Sequence, residues 1–181
     1  MILNIEPILI IPFSSSYWVI PNKLIAGEIP ASQTEEESHK KLSGLVKIKT
    51  SAVINLIEDD EKNRSGELFY NYSEYLQTHK IITHRFPIRD GTIPSIKRMI
   101  EILNLIDEYN SKNKIVYVHC WGGVGRTGTV VGCSLKRHGI ADNNNVFNQI
   151  DTLKINTPIA SRMSPETIEQ QDFVLSWNKN Q

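Results

Sequence analysis

The sequence predicts an α/β fold, with a central and mostly parallel sheet, helices on both of its faces and a helical C-terminal layer. Three observations lead there. Short β-branched apolar runs alternate with segments of helical period as far as residue 119, a glycine-rich stretch follows, and only helical patterns come after it. The 181 residues, 40% apolar, suffice for one compact core and not for two, so residues 1–181 read as a single domain.

Taken in order, Ile8–Ile11, Tyr17–Ile20 and Leu24–Ala26 are short strand candidates, with Gly27 turning the chain after the third. Thr34 followed by Glu37 is a capping-box pattern, and Leu42, Leu45 and Val46 continue it as the apolar stripe of a helix ending near Thr50. Ala52–Ile57 has the continuous apolar character of a buried parallel strand. The charged stretch Glu58–Arg64 reads as a solvated loop, after which Leu68, Phe69, Tyr72, Tyr75 and Leu76 recur at helical spacing. Ile81–Phe86 is the next strand, Pro87–Pro94 a loop punctuated by Asp90-Gly91, and Ser95–Tyr109 a helix with Ile96, Met99, Ile100, Leu103 and Ile106 inward. Ile115–Val118 is a central-sheet strand. From Arg126 a helix runs to about His138 and stops at Gly139; another covers Asn143–Lys154, and a last one starts at Ser164-Pro165 and carries Ile168, Phe173 and Trp177.

Twenty basic residues balance 20 acidic ones, so the chain has no global attraction to nucleic acid or to anionic membrane, and an anion site has to be built locally. Neither nucleic acid nor membrane is expected as a partner. Two cysteines, Cys120 and Cys133, are too few for a secreted disulfide scaffold. Glu6, Pro7 and Pro12 interrupt the apolar N-terminus, which argues against a signal peptide or a membrane span; a cytoplasmic location is the expectation.

The informative stretch is His119-Cys120-Trp121-Gly122-Gly123-Val124-Gly125-Arg126-Thr127, between a strand and a helix. Gly123, Gly125 and Gly128 also spell a Gly-x-Gly-x-x-Gly dinucleotide fingerprint. A dinucleotide fold needs another parallel strand with an acid at its end, and here an Asn-rich turn containing Asp142 and then a helix follow. A Walker A loop is excluded because Gly-Lys-Ser/Thr does not occur. The alternative is a phosphate cradle. Successive backbone N–H groups of Trp121, Gly122, Gly123, Val124, Gly125 and Arg126 form an anion nest, to which the following helix adds its positive end. The Arg126 side chain offers paired donors to phosphoryl oxygens, a fork that lysine lacks. The same field favours the thiolate of Cys120 as a nucleophile. Thr127 is placed to donate to the sulfur, and His119 to order backbone carbonyls beneath the loop. Cys133, next to Val130 and Val131 on the helix, reads as core packing, with a redox pairing to Cys120 as the lesser alternative.

Attack on a phosphate monoester leaves an alkoxide or phenoxide, and a carboxylic acid nearby would protonate it. Asp90 is the candidate, in a loop leaving the carboxyl end of a strand, with Gly91 giving that loop freedom to move. Asp59 and Asp60 follow another strand and are held in reserve.

With these residues in place, the chain resembles the cysteine-dependent tyrosine and dual-specificity phosphatase superfamily, as a compact tyrosine-phosphatase-like member. The resemblance rests on His119–Thr127, on Ile20–Gly27, on Val53-Ile54-Asn55-Leu56 and on Phe86-Pro87-Ile88-Arg89-Asp90, and the pattern extends over residues 17–177. It implies a phosphatase-like fold and phosphomonoester hydrolysis through a phosphocysteine on Cys120. Asp90 would first donate a proton and then activate water, without metal or other cofactor. Near the C-terminus, Glu166-Thr167-Ile168-Glu169-Gln170 is similar to the glutamine-bearing segment of the tyrosine-specific members, which makes Gln170 a supporting residue and puts Glu166 where those proteins carry a first Gln.

The expected substrate is a phosphorylated protein or peptide, by phosphotyrosine or dual-specificity dephosphorylation, with small phosphomonoesters also possible. Trp121 packs the loop or lines its rim, and Tyr17, Trp18, Tyr70, Tyr72 and Tyr75 supply either an aromatic wall or core. With Arg126 the only basic residue of the loop, a phosphoinositide is disfavoured, as is an RNA 5′-phosphate given the little basic enrichment. A phosphate-recognition module with weak turnover is the non-enzymatic alternative.

Overall fold

The computed structural model describes residues 9–63 and 65–181. Strands β1 (Ser16–Ile20), β2 (Leu24–Gly27), β3 (Thr50–Asn55), β4 (Ile82–Arg85) and β5 (Ile115–His119) form one sheet in the order β1-β2-β5-β3-β4. Only β1 and β2, joined by a tight turn, are antiparallel; the other neighbours run parallel. The expected, mostly parallel sheet is therefore present. β5 lies at its centre, with Gly27 of β2 and Asn55 of β3 both level with His119. The chain therefore leaves three adjacent strands at the same height, and α/β sites gather at such carboxyl ends.

Side chains of these strands alternate between two cores, as the two-residue period demands. Val116 and Val118 face one core with Leu24, Ala52 and Ile54, whereas Tyr117 faces the other with Ile25 and Val53. Helices α1 (Glu35–Lys47) and α2 (Ser73–Thr78) cover the Tyr117 face through Leu42, Leu45 and Leu76. The opposite face carries α3 (Ile96–Ser111), α4 (Gly125–Arg137) and α5 (Val146–Leu153), and α6 (Ile168–Ser176) packs against α4. The fit there is close: a Cβ on Gly132 would come within 2.7 Å of the Val174 side chain.

Three expected elements change. Ile8 lies outside the described residues, as do Glu6 and Pro7, and residues 9–11 form no strand. Instead, the following Pro12 crosses α1 so closely that a Cβ on Gly44 would fall 2.0 Å from the Pro12 carbonyl oxygen. The helix expected from Leu68 begins only at Ser73. The Asn63 side-chain oxygen accepts from Ser65 and Glu67 N–H groups, and Lys62 bridges Leu68, so residues 62–68 close a small loop. The last helix starts at Ile168 and not at Ser164-Pro165, because Thr167 and Gln170 form a reciprocal capping box. Ser164 Oγ is otherwise engaged, donating to the Val124 carbonyl at 2.8 Å.

Among the described residues no helix is long and apolar enough to cross a membrane.

Candidate active site

β5 delivers Cys120 to the end of the sheet, and the chain turns through residues 121–124 into α4. Two backbone bonds fasten this loop: Leu56 N–H donates to the His119 carbonyl at 3.0 Å, and Ile29 N–H to the Trp121 carbonyl at 2.9 Å. Gly123 has φ +69, and a Cβ there would lie 2.4 Å from the Gly27 carbonyl carbon, so the turn requires glycine twice over. Gly128 has another reason for its small size, since a Cβ would sit 2.2 Å from Ser164 Oγ. The apparent dinucleotide fingerprint is thus one turn glycine and a packing glycine, with Gly125 facing the Gln170 amide between them.

Cys120 is buried at the floor of a cleft of about 660 Å³. Thr127, in the first turn of α4, makes two bonds to it: its Oγ1 accepts from Cys120 N–H at 2.8 Å and donates to Sγ at 3.1 Å. Beneath the loop, burial drives the His119 pKa down to about 3. The neutral ring donates from Nδ1 to the Cys120 carbonyl at 3.0 Å, which leaves Nε2 as the acceptor for Tyr72 O–H at 2.6 Å. Burial likewise holds the Tyr72 phenol well above its ordinary range, so it remains a donor. Tyr72 is therefore core, yet it also fixes the His119 tautomer beneath Cys120.

Arg126 is fully buried. Its Nη1 and Nη2 each donate to one oxygen of Glu61 at 2.7 Å, and Nη1 also donates to the Ile88 carbonyl at 3.0 Å. Burial opposes the guanidinium charge, but the Glu61 hydrogen bonds and the nearby Cys120 and Asp90 charges outweigh it and hold the proton more firmly than usual. Nε–H has no acceptor among the described residues. Asp90 Oδ1 lies 2.9 Å from Nη2, with its side chain still 64% exposed in the cleft. The Asp90 loop reaches this position because Phe86 and Ile88 N–H groups donate to the Asn55 and Leu56 carbonyls, extending the β3–β4 pairing beyond the strands. At its far end Gln170 Nε2 donates to the Thr92 carbonyl, and Thr167 Oγ1 reaches the Gly91 carbonyl.

Cys120, Arg126, Thr127 and Asp90 are therefore brought together, with His119 below them. Trp121, Gly122, Val124 and Gly125 line the cleft, and Trp121 packs its ring 5.9 Å from Phe69. Gln170 stands apart from Cys120 in its bonding. Its side-chain oxygen accepts from Glu166 and Thr167 N–H, and its nitrogen is committed to Thr92, so the amide ties α6 to the Asp90 loop. The reserve acids lie elsewhere: Asp59 pairs with Arg85, and Asp60 is exposed. Cys133 is buried in α4, where desolvation pushes its thiol up.

Two features of the site escaped the sequence reading. Glu61 belongs to the stretch expected to be solvated, and its inward turn depends on meeting Arg126, 65 residues away. Lys41 and Arg162 bring basic groups to the cleft that the loop itself lacks. No local pattern marks either feature.

Comparison with known proteins agrees with this geometry. A family model described as a polymorphic toxin system DSP-PTPase phosphatase matches residues 29–140, more than half of the chain. Cyclin-dependent kinase inhibitor 3 of Rattus norvegicus is 29% identical over 104 residues, covering 58% of this chain and 47% of that protein. Tyrosine-protein phosphatase cdc-14 of Caenorhabditis elegans is 26% identical over 170 residues, 90% of this chain and 22% of that protein. The chain thus spans about half or less of the length of these relatives. Among solved structures, a mutant form of Tk-PTP is 26% identical with a TM-score of 0.66, covering 88% of this chain and 91% of that one. Kinase associated phosphatase shares the fold, with a TM-score of 0.69 at 21% identity over 83% of each chain. With the matched residues running from just after β2 through the whole of α4, the chain belongs to the DSP-PTPase phosphatase family.

Proposed function

We propose that the protein hydrolyses phosphomonoesters through a phosphocysteine intermediate, acting on a phosphorylated protein or peptide with phosphotyrosine or dual specificity. The observation that carries this reading is that Cys120, whose Sγ accepts from the Thr127 hydroxyl at the positive end of α4, shares a cleft with the Asp90 carboxyl, which is paired to the buried Arg126.

In the first step the Cys120 thiolate attacks phosphorus, the bond to the ester oxygen breaks, and that oxygen takes the Asp90 proton. Backbone N–H groups of residues 121–126 and the Arg126 guanidinium hold the phosphoryl oxygens as charge shifts. In the second step water attacks the phosphocysteine, the S–P bond breaks, and Asp90 receives the water's proton. The Thr127 hydroxyl supports the departing thiolate. The acid loop is tied through Ile88, Gly91 and Thr92, which supports the Asp90 carboxyl on the cleft it shares with Cys120.

The test is turnover of an aryl phosphate and of phosphopeptides in the presence of a chelator. Wild type is expected to be active and Cys120→Ser inactive. Asp90→Ala should lose about 10²–10⁴-fold on an alkyl phosphate and much less on a phosphate with a good leaving group. Undiminished turnover by Cys120→Ser would sink the proposal.

A further inference from the structure

We propose that Arg162 selects phosphopeptides carrying an acidic side chain beside the phosphorylated residue; this rests on the phosphatase reading above and names the substrate class of the same site. The guanidinium lies over the rim of the phosphate loop. A Cβ on Gly122 would be 3.1 Å from Arg162 Nη1, so any side chain at position 122 would crowd it. Nη2 donates to Glu166 Oε1 at 2.6 Å, whereas Nη1 and Nε make no hydrogen bond among the described residues and Arg162 lines the cleft above Cys120.

The backbone that presents this side chain is built for position. Lys154 is fully buried, and its ammonium donates to the Ala160 carbonyl at 2.8 Å and to the Arg162 carbonyl at 2.7 Å while pairing with Asp151. Arg162 N–H closes the turn on the Ile159 carbonyl at 3.0 Å. A buried ammonium spent on two loop carbonyls fixes where the Arg162 side chain begins.

Charge in the cleft decides what Arg162 accepts. Among the described residues its walls hold the carboxylates of Glu28, Glu37, Asp90 and Glu166 against the cations of Lys41 and Arg162. Lys41 is committed to Glu28 at 2.6 Å. The Nη1 edge of Arg162 is therefore open to a substrate, enough for a single carboxylate. A ligand with several additional phosphates would meet the surplus of wall carboxylates. A peptide with one Glu next to its phosphorylated residue matches this arrangement.

The experiment compares kcat/KM for two phosphotyrosine peptides that differ only in Glu or Gln beside the phosphotyrosine, with an inositol bisphosphate as a third substrate. Wild type is expected to favour the Glu peptide about 5- to 10-fold, the size of one charge-assisted contact. Arg162→Gln should bring that ratio close to one and Arg162→Lys should keep part of it. Glu166→Gln, which removes a competing anion, should raise the ratio. Equal turnover of the two peptides by wild type, or an undiminished preference in Arg162→Gln, overturns the inference while leaving the phosphatase reading intact. An Arg162-dependent gain confined to the inositol bisphosphate overturns it in favour of a polyphosphate. Failure to turn over any phosphomonoester defeats the phosphatase reading itself.

Discussion

Replacing Glu61 by Gln should weaken both the fold and the reaction, in amounts that follow from its contacts. Two charge-assisted bonds of 2.7 Å join it to Arg126 where the two side chains are 12% and 1% exposed. Breaking a buried ion pair costs about 3–5 kcal/mol when the surviving charge is stranded. Here Arg126 keeps the Ile88 carbonyl and Asp90, and Gln still offers one oxygen, so the expected loss is about 2 kcal/mol. For a chain of this size that lowers Tm by roughly 4–8 °C. The kinetic effect has a different origin. With one end of the fork loosened, Arg126 can tilt away from the phosphoryl oxygens and draw Asp90 with it; misplacement on this scale costs about 10–100-fold in kcat/KM. Thermal unfolding and steady-state kinetics on an aryl phosphate measure the two, and Glu61→Asp, which keeps the charge on a shorter arm, should fall between wild type and Glu61→Gln in both. A lower Tm with kcat/KM unchanged within twofold would show that Glu61 only supports the fold. If neither quantity moves, the reasoning from the ion pair is wrong.

Acid should destabilise the protein through His119. The unfolded imidazole takes its proton near pH 6.5 and the buried one only near pH 3, so stability falls as pH drops through that window, by at most about 5 kcal/mol from this group. Urea unfolding of wild type and His119→Gln across pH 7 to 4 would reveal it, since the variant's pH slope should be smaller by up to one proton; equal slopes would refute the assignment. Thr127→Ala removes the acceptor of the buried Cys120 N–H and the donor to Sγ together. It should cost about 1–3 kcal/mol of stability and slow phosphocysteine breakdown more than its formation, seen as a pre-steady-state burst of leaving group absent from wild type. Loss of activity with no phosphoenzyme trapped by acid quench would contradict that role.

Local pattern carried the reading wherever a residue's duty is set by its chain neighbours. The β-branched run before Cys120, the spacing from Cys120 to Arg126 and the helix beyond it are all contiguous, so strand, cradle and α4 were legible together. Asp90 was legible for a related reason, as a carboxylate leaving a parallel strand's carboxyl end. The period was misleading at Leu68–Asn71, where Asn63 and the Lys62–Leu68 bridge satisfy the backbone in another way.

The sequence by itself thus determined the fold class and the placing of Cys120, Arg126 and Thr127 on one turn between β5 and α4, because each depends on groups a few residues apart. Only the tertiary structure decided that Glu61 holds Arg126, that Tyr72 sets the His119 tautomer, that the Gln170 amide joins α6 to the acid loop, and that Arg162 stands over Gly122. Those contacts join distant segments whose side chains meet because the parallel strands end at one level, and such a meeting leaves no periodicity or motif in the chain.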